Sequence, residues 1–303
     1  MRGQGGRPDR CRPRSRPCRQ RTRIWTVNYR IPYVALALAL AACGQQVEGD
    51  PVTVIEFGED GETITRVEGD DTEEVVAGPT SNVAAESACE RLTFQEVVLT
   101  HCVAVPAKHR ITTVLGPPHR SFAKLAEGRS SAPVFAVNAG MFDGDGKPIG
   151  YYVEDSERLQ ALNTNDGAGN FHLKPNGVFY GSNGEWRVRT TESFLANVSD
   201  RPQFGTQSGP MLLIDGKLHP EISEDGPSRQ IRNGVGVDRQ GRAHFVISEG
   251  PISFGKFARF FRDVANTPNA LYLDGNVSGL WDPANDRMDA RAPIGPMIVV
   301  ETR

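Results

Sequence analysis

The apolar residues of this chain come in short runs, each bounded by glycine, proline, asparagine or aspartate, and long helical periodicities are scarce. Such punctuation asks for many short strands joined by tight turns. The runs predict strands at 97–99, 102–105, 111–115, 134–137, 150–153, 177–180, 186–189, 211–214, 235–238, 244–248, 270–273 and 297–300. Asp238-Arg-Gln-Gly241 and Asp215-Gly216 carry hairpin-turn chemistry between neighbouring runs. One helix is expected over 254–264, where Phe254, Phe257, Phe261 and Val264 form an apolar stripe behind Ser253 as N-cap. A shorter one is expected over 122–127 after Ser121. Strands outnumber helices, so the expected class is α+β, with mixed β-sheets and few helices in a single globular domain, 86–303.

The first 85 residues have a different character. Residues 1–30 hold ten arginines against Asp9 alone, and a brief apolar run follows from Tyr33 to Ala42. That run is too short to span a bilayer comfortably, which takes about 20 residues. A basic segment, a short apolar core and small residues at its end make an export signal. Its end, Leu40-Ala41-Ala42-Cys43, resembles a bacterial lipobox, which implies that Cys43 is lipidated. The rival reading is an ordinary secretory signal with a chance cysteine. Without residues 1–42 (ten arginines, one aspartate) the formal charge falls from −3 to −12, which excludes non-specific nucleic-acid binding. Residues 43–85 are dominated by acids and read as a self-repelling flexible tether. Their apolar patches at 52–57 and 64–67 offer a hairpin as the alternative. The expected placement is an exported lipoprotein, membrane-anchored through Cys43, at the outer membrane facing the periplasm. Cys89 and Cys102 then lie in an oxidising compartment, where a disulfide is the default; a metal-binding or catalytic thiol is the rival.

Several familiar motifs nearly match. Ser253-Phe-Gly-Lys256 has the S-x-x-K spacing of penicillin-recognising enzymes without companion elements, and capping explains Ser253. Asp143-Gly-Asp145-Gly-Lys147-Pro148 begins like a calcium loop, but lysine fills a ligand position and proline stands where glycine must turn. A surface turn explains it better.

The densest polar, glycine-rich stretch runs from 138 to 176, directly after the 134–137 run. Carboxamides, a carboxylate, an imidazole and an ammonium packed between glycines cannot bury themselves without partners, so they read as loops at the mouth of a scaffold. Further polar clusters flank the runs at 206–210, 228–234, 248–251 and 274–278. Each alone suits turn chemistry; five in one domain point to a site.

Five words recur in order: Val137-Asn138-Ala-Gly140-Met-Phe142, Gly169-Asn-Phe-His172-Leu-Lys174-Pro-Asn176-Gly177, Gln207-Ser208-Gly-Pro210, Ile231-Arg232-Asn233-Gly234-Val-Gly236-Val-Asp238 and Tyr272-Leu-Asp274-Gly275. Together they resemble the phosphodiester glycosidase family, in its shorter bacterial exported branch, from about Cys89 to the end. The chain departs from the family where Asn276-Val277 stands before Ser278 in place of further glycines.

The resemblance implies hydrolysis of a sugar–phosphodiester bond at the anomeric carbon. A phosphorylated glycan or sugar phosphodiester is then the partner. Such chemistry needs cations or amide donors for the phosphate and a carboxylate as nucleophile or base. Arg232, with Arg229 and Lys174, is expected at the phosphate, because an arginine fork holds two oxygens. Asp274 is the first carboxylate, with Glu249 and Asp166 behind it, and His172 serves as acid–base group. Asn138, Asn176, Gln207 and Asn233 are expected on sugar hydroxyls, with Ser208 and Ser278 also expected to bind substrate; Gly140 and Gly275 allow close backbone approach. For Arg232 and Asp274 the rival is a structural ion pair. Metal dependence stays open: clustered oxygens suit calcium or magnesium, yet no spacing demands either. Two rival functions remain, a non-catalytic glycan-binding lipoprotein on the same fold and an envelope assembly or inhibitor protein.

Overall fold

The computed structural model describes residues 87–115 and 119–303, together with a separate backbone hairpin, Val54–Gly58 paired with Gly61–Thr65. The chain divides into two compact units, Met1–Thr80 and Ser81–Arg303. Hairpin pairing, the alternative reading of the acidic segment, is thus present within the first unit. Cys43 and the rest of the leader and tether lie outside the described residues.

Three large antiparallel sheets and one two-stranded ribbon, Arg229–Gln230 with Ile252–Ser253, form the described part of the second unit. The largest has seven strands in the order Lys217–Leu218, Met211–Ile214, Asn269–Tyr272, Asn233–Val237, Ala243–Ser248, Val97–Ala104, Cys89–Phe94. A five-stranded sheet follows the order Glu185–Thr190, Gly177–Ser182, Phe204–Ser208, Tyr152–Glu154, Glu157–Gln160. The other five-stranded sheet runs Arg287–Met288, Leu280–Asp282, Phe135–Asn138, Met297–Thr302, His109–Val114. The α+β class agrees with expectation. Every pairing between these strands is antiparallel, where mixed sheets were expected. The reason is connection length: two-residue turns link several neighbours, whereas a parallel crossover needs a dozen residues or more.

Period-two alternation explains the layers. The inner faces of all three sheets share one core, with Phe179 and Phe204 from one sheet, Phe135, Val137, Ile298 and Val300 from another, and Val235, Phe245 and Leu271 from the third. Each outer face is closed by a helix. Helix α1 (Phe122–Glu127) lays Phe122 and Leu125 on Ala136, Met297 and Val299. Helix α2 (Thr191–Asn197) lays Phe194 on Tyr151, Val178 and Tyr180. Helix α3 (Phe254–Asp263) lays Phe257, Phe260 and Phe261 on Leu212, Val246 and Ala270.

Helix α3 begins as expected, with the Ser253 hydroxyl accepting the Lys256 N–H. That bond also disposes of the serine-nucleophile spacing. Val264, expected in the buried stripe, is the exposed C-cap; Phe260 completes the apolar face instead. Cys89 and Cys102 form a disulfide across paired strands. Their hairpin turns at Gln95-Glu96, both at positive φ, so the expected runs 97–99 and 102–105 are one strand. The Asp143 loop is a surface turn: its carboxylate accepts the N–H groups of Asp145 and Lys147. Among the described residues no group of three His, Cys, Asp or Glu side chains is arranged to hold a metal ion.

Candidate active site

Strand register brings the polar words to one edge. Gly234 pairs with Tyr272, so Asn233 opens its strand where Tyr272 closes the neighbouring one. Met211 pairs with Leu271 on that edge, and the Tyr272 N–H donates to Pro210 O. From the adjacent five-stranded sheet Asn138 ends its strand beside them.

A hydrogen-bonded cage follows. Asn138 Oδ1 accepts from Asn233 Nδ2 at 2.7 Å and from the Gly279 N–H at 3.0 Å, while its Nδ2 donates to Asp274 O at 2.8 Å. The Ser278 hydroxyl lies 2.9 Å from Gly275 O and 3.3 Å from Asn233 Oδ1. The Asp274 N–H donates to Ala139 O. Two carboxamides from two sheets therefore clamp the loop that carries Asp274. Asn138 and Asn233 are each 1 % exposed, so they hold the loop rather than present amides to a sugar, contrary to expectation.

Asp274 is itself 8 % exposed, and its carboxylate accepts the Asn276 N–H at 3.1 Å. It makes no ion pair with Arg232 or any other cation among the described residues. Burial pushes its carboxyl above the ordinary aspartate range, against the pull of the Asn276 N–H. The rival structural ion pair with Arg232 is absent.

Gly140 and Gly275 meet their neighbours closely. A Cβ at Gly140 would overlap Gln207 O, and one at Gly275 would overlap the Tyr272 hydroxyl. Glycine is required at both positions for packing. Gln207 spends its whole carboxamide on the scaffold: Oε1 accepts from the N–H groups of Tyr151 and Asn163, and Nε2 donates to Asn163 O and Thr191 Oγ1. Asn176 likewise bonds Phe171 O and the Thr191 hydroxyl. Neither has a polar atom left for substrate. Ser208 is fully buried, and its hydroxyl is without a protein partner.

The charged candidates divide. Lys174 Nζ donates to Thr164 O and to Asp166 Oδ1, on the exposed loop where the His172 ring covers Gly167 and lies 3.1 Å from Asn165 O. Lys174 holds the Asp166 carboxyl below its usual range. That loop is tied to the strand Met211–Ile214, which pairs with Asn269–Tyr272, through the Met211 N–H, which donates to Pro175 O. Arg229 pairs with Asp225 on an exposed segment. Glu249 is ion-paired with Arg287, which also binds Asp289. Arg232 is 1 % exposed beneath the Phe254 ring, which lies 3.4 Å from the guanidinium carbon. Its Nε donates to Ile252 O and its Nη2 to Ser228 O and Oγ, so that edge of the guanidinium is spent on the scaffold.

Three residues escaped the sequence reading: Tyr272, Arg287 and Asp289. Tyr272 stood within a quoted word, and its signal was its place one residue before Leu273-Asp274. Arg287 and Asp289 carry no local signal, since two charges in a polar C-terminal stretch look like solvated surface.

The sequence profile of the phosphodiester glycosidase family matches residues 131–301, more than half of the chain. The chain belongs to the phosphodiester glycosidase family. The Escherichia coli (strain K12) protein YigE, described as uncharacterised, is 36 % identical over 182 residues, covering 60 % of this chain and 71 % of that protein. Among solved structures, the catalytic domain of zebrafish N-acetylglucosamine-1-phosphodiester α-N-acetylglucosaminidase superposes with a TM-score of 0.49 at 15 % identity, covering 71 % of this chain and 82 % of that one. A hypothetical protein from Synechocystis gives a TM-score of 0.45 at 16 % identity, covering 71 % and 61 %. Family membership makes this domain a hydrolase of the phosphodiester glycosidase class.

Proposed function

We propose that the protein hydrolyses a sugar-1-phosphodiester at the anomeric carbon, with Asp274 as the reacting carboxylate. One observation carries this reading: Asp274 is a buried carboxylate with no counter-cation among the described residues, held by a cage built from two sheets. A buried charge is costly without a partner, and groups kept that way cluster at reaction centres. The departing phosphate monoester is already an anion and needs little protonation, its second pKa being about 6. Asp274 therefore attacks the anomeric carbon or takes the proton from the water that does. Lys174 supplies positive charge for the phosphate from the neighbouring loop, and His172 on the same loop serves proton transfer.

The same proposal includes export and anchoring. The basic leader, the apolar run and Cys43 support a lipid-anchored hydrolase at the outer membrane facing the periplasm, with residues 43–85 as spacer. Cys43→Ser is expected to release the protein from the detergent-extracted membrane fraction into the soluble one; unchanged partitioning removes the anchor.

The activity is tested by incubating the purified domain with sugar-1-phosphodiesters and aryl glycosides, with and without chelator. Product release that Asp274→Asn abolishes supports the reading. Saturable glycan binding with no product over long incubation makes the protein a glycan-binding lipoprotein instead.

A further inference from the structure

Arg232 is a buried cation without an ion pair among the described residues, and its surroundings point to what it serves. The Nε and Nη2 edge, one of the two through which an arginine holds a pair of oxygens, is spent on the carbonyls of Ile252 and Ser228. Phe254 covers one face of the guanidinium. The Tyr272 ring lies beside it, its centroid 5.6 Å from the guanidinium carbon, and packs edge-on against Phe254 at 4.8 Å. From there the phenol reaches forward until its hydroxyl touches Gly275, so closely that a Cβ would overlap it. Asp274 is the next residue back. A contact chain thus runs from Arg232 through Tyr272 to the turn that aims the reacting carboxylate.

We propose that Arg232 is a positioning residue, acting through the Tyr272 phenol on the Asp274–Gly275 turn, and that it does not grip phosphate. The proposal rests on the reading of Asp274 as the reacting carboxylate. Electrostatics agree with the geometry. Burial pushes the Tyr272 hydroxyl up, the nearby Arg232 charge and the Gly275 N–H pull it back, and the Asp274 charge pushes it up again. The phenol thus lies between the Arg232 charge behind it and the Asp274–Gly275 turn in front. An apolar residue at 232 would bury more cheaply; what the cation adds is a charge fixed by Ile252 O and Ser228 against the Tyr272 ring. Misplacing a reacting group by about 1 Å can cost about a hundredfold in rate, so the chain has leverage without touching substrate.

The test uses one sugar with two leaving groups, an anionic phosphodiester and a neutral aryl group. Arg232→Lys and Tyr272→Phe are expected to lower kcat by at least about tenfold on both substrates, by the same factor, with KM unchanged. The double variant is expected to lose no more than either single one, because the residues act in series. A loss confined to the phosphodiester and expressed in its KM would overturn the proposal and return Arg232 to the phosphate. Should the wild type turn over neither substrate, the assignment of Asp274 falls first. The contact chain is then read from amide hydrogen exchange at Gly275: roughly tenfold faster exchange in both variants, at unchanged Tm, upholds it, and unchanged exchange sinks it.

Discussion

At the scale of single residues, Asp274 concentrates the conflict between stability and function. Its carboxyl is buried, the Asn276 N–H donates to it, and no cation among the described residues neutralises it. A carboxyl whose folded pKa is raised contributes stability below its unfolded pKa of about 3.9 and loses it as pH rises through the folded value. At neutral pH the wild type therefore carries that cost, and Asp274→Asn does not. The substitution is expected to abolish turnover while leaving Tm at pH 7 equal or higher, as read by calorimetry. A fall of several degrees would show that the carboxylate is a structural partner. With Asp274 reacting in its ionised form, as proposed, the same shift is expected to place the acid limb of kcat/KM above the ordinary aspartate range.

Single elements carry two further devices. Strands Val97–Ala104 and Ala243–Ser248 stack His101 on His244, with His101 Nε2 and His244 Nδ1 2.9 Å apart and His244 Nε2 3.1 Å from Asp238 Oδ2. Phe260 covers the outer side, Glu90 reaches His101 at the strand edge and Arg242 pairs with Asp238. Burial, then His244 and Arg242, lower the His101 pKa from 6.5 to about 4. A histidine with a depressed folded pKa contributes stability above its unfolded pKa and loses it as pH falls. The window is thus from about 6.5 down to about 4, and the loss is of order 3 kcal/mol. His101→Phe is expected to flatten the dependence of Tm on pH across that window; an unchanged slope would exonerate the pair. The Cys89–Cys102 disulfide staples the neighbouring hairpin at the sheet edge. Replacing both cysteines with serine should cost about 3 kcal/mol in denaturant unfolding.

For the whole molecule the decisive strand is the last. Met297–Thr302 pairs with Phe135–Asn138 on one side and His109–Val114 on the other, in the interior of its sheet. Glu301 joins Arg110 and Arg129 to it, and Ile298 and Val300 enter the shared core. Truncation after residue 296 should therefore abolish cooperative unfolding and near-UV circular dichroism, not merely fray an end. The strand also backs Asn138, since Met297 pairs with it directly. Losing the terminus would dismantle the cage around Asp274 from behind.

Much of this was legible in the chain. Strands at 211–214 and 244–248, the turns at Asp215-Gly216 and Asp238–Gly241 and the caps at Ser121 and Ser253 follow from period and turn chemistry within a few residues. The strand Phe204–Ser208 and helix α2 were not legible: Gly-Thr-Gln-Ser has weak strand propensity and is held by burial on both faces, and the seven-residue helix is anchored mainly through Thr191 and Phe194. The sequence by itself determined the family, the α+β layout and the stock of polar residues near the site. Only the tertiary structure decided how that stock is used. Whether a buried amide or cation is free depends on partners far along the chain: Thr191 and Tyr151 for Gln207, Asn233 and Asp274 for Asn138, Phe254 and Tyr272 for Arg232. Hydrogen-bond satisfaction is a property of the packed interior, and no local pattern contains it.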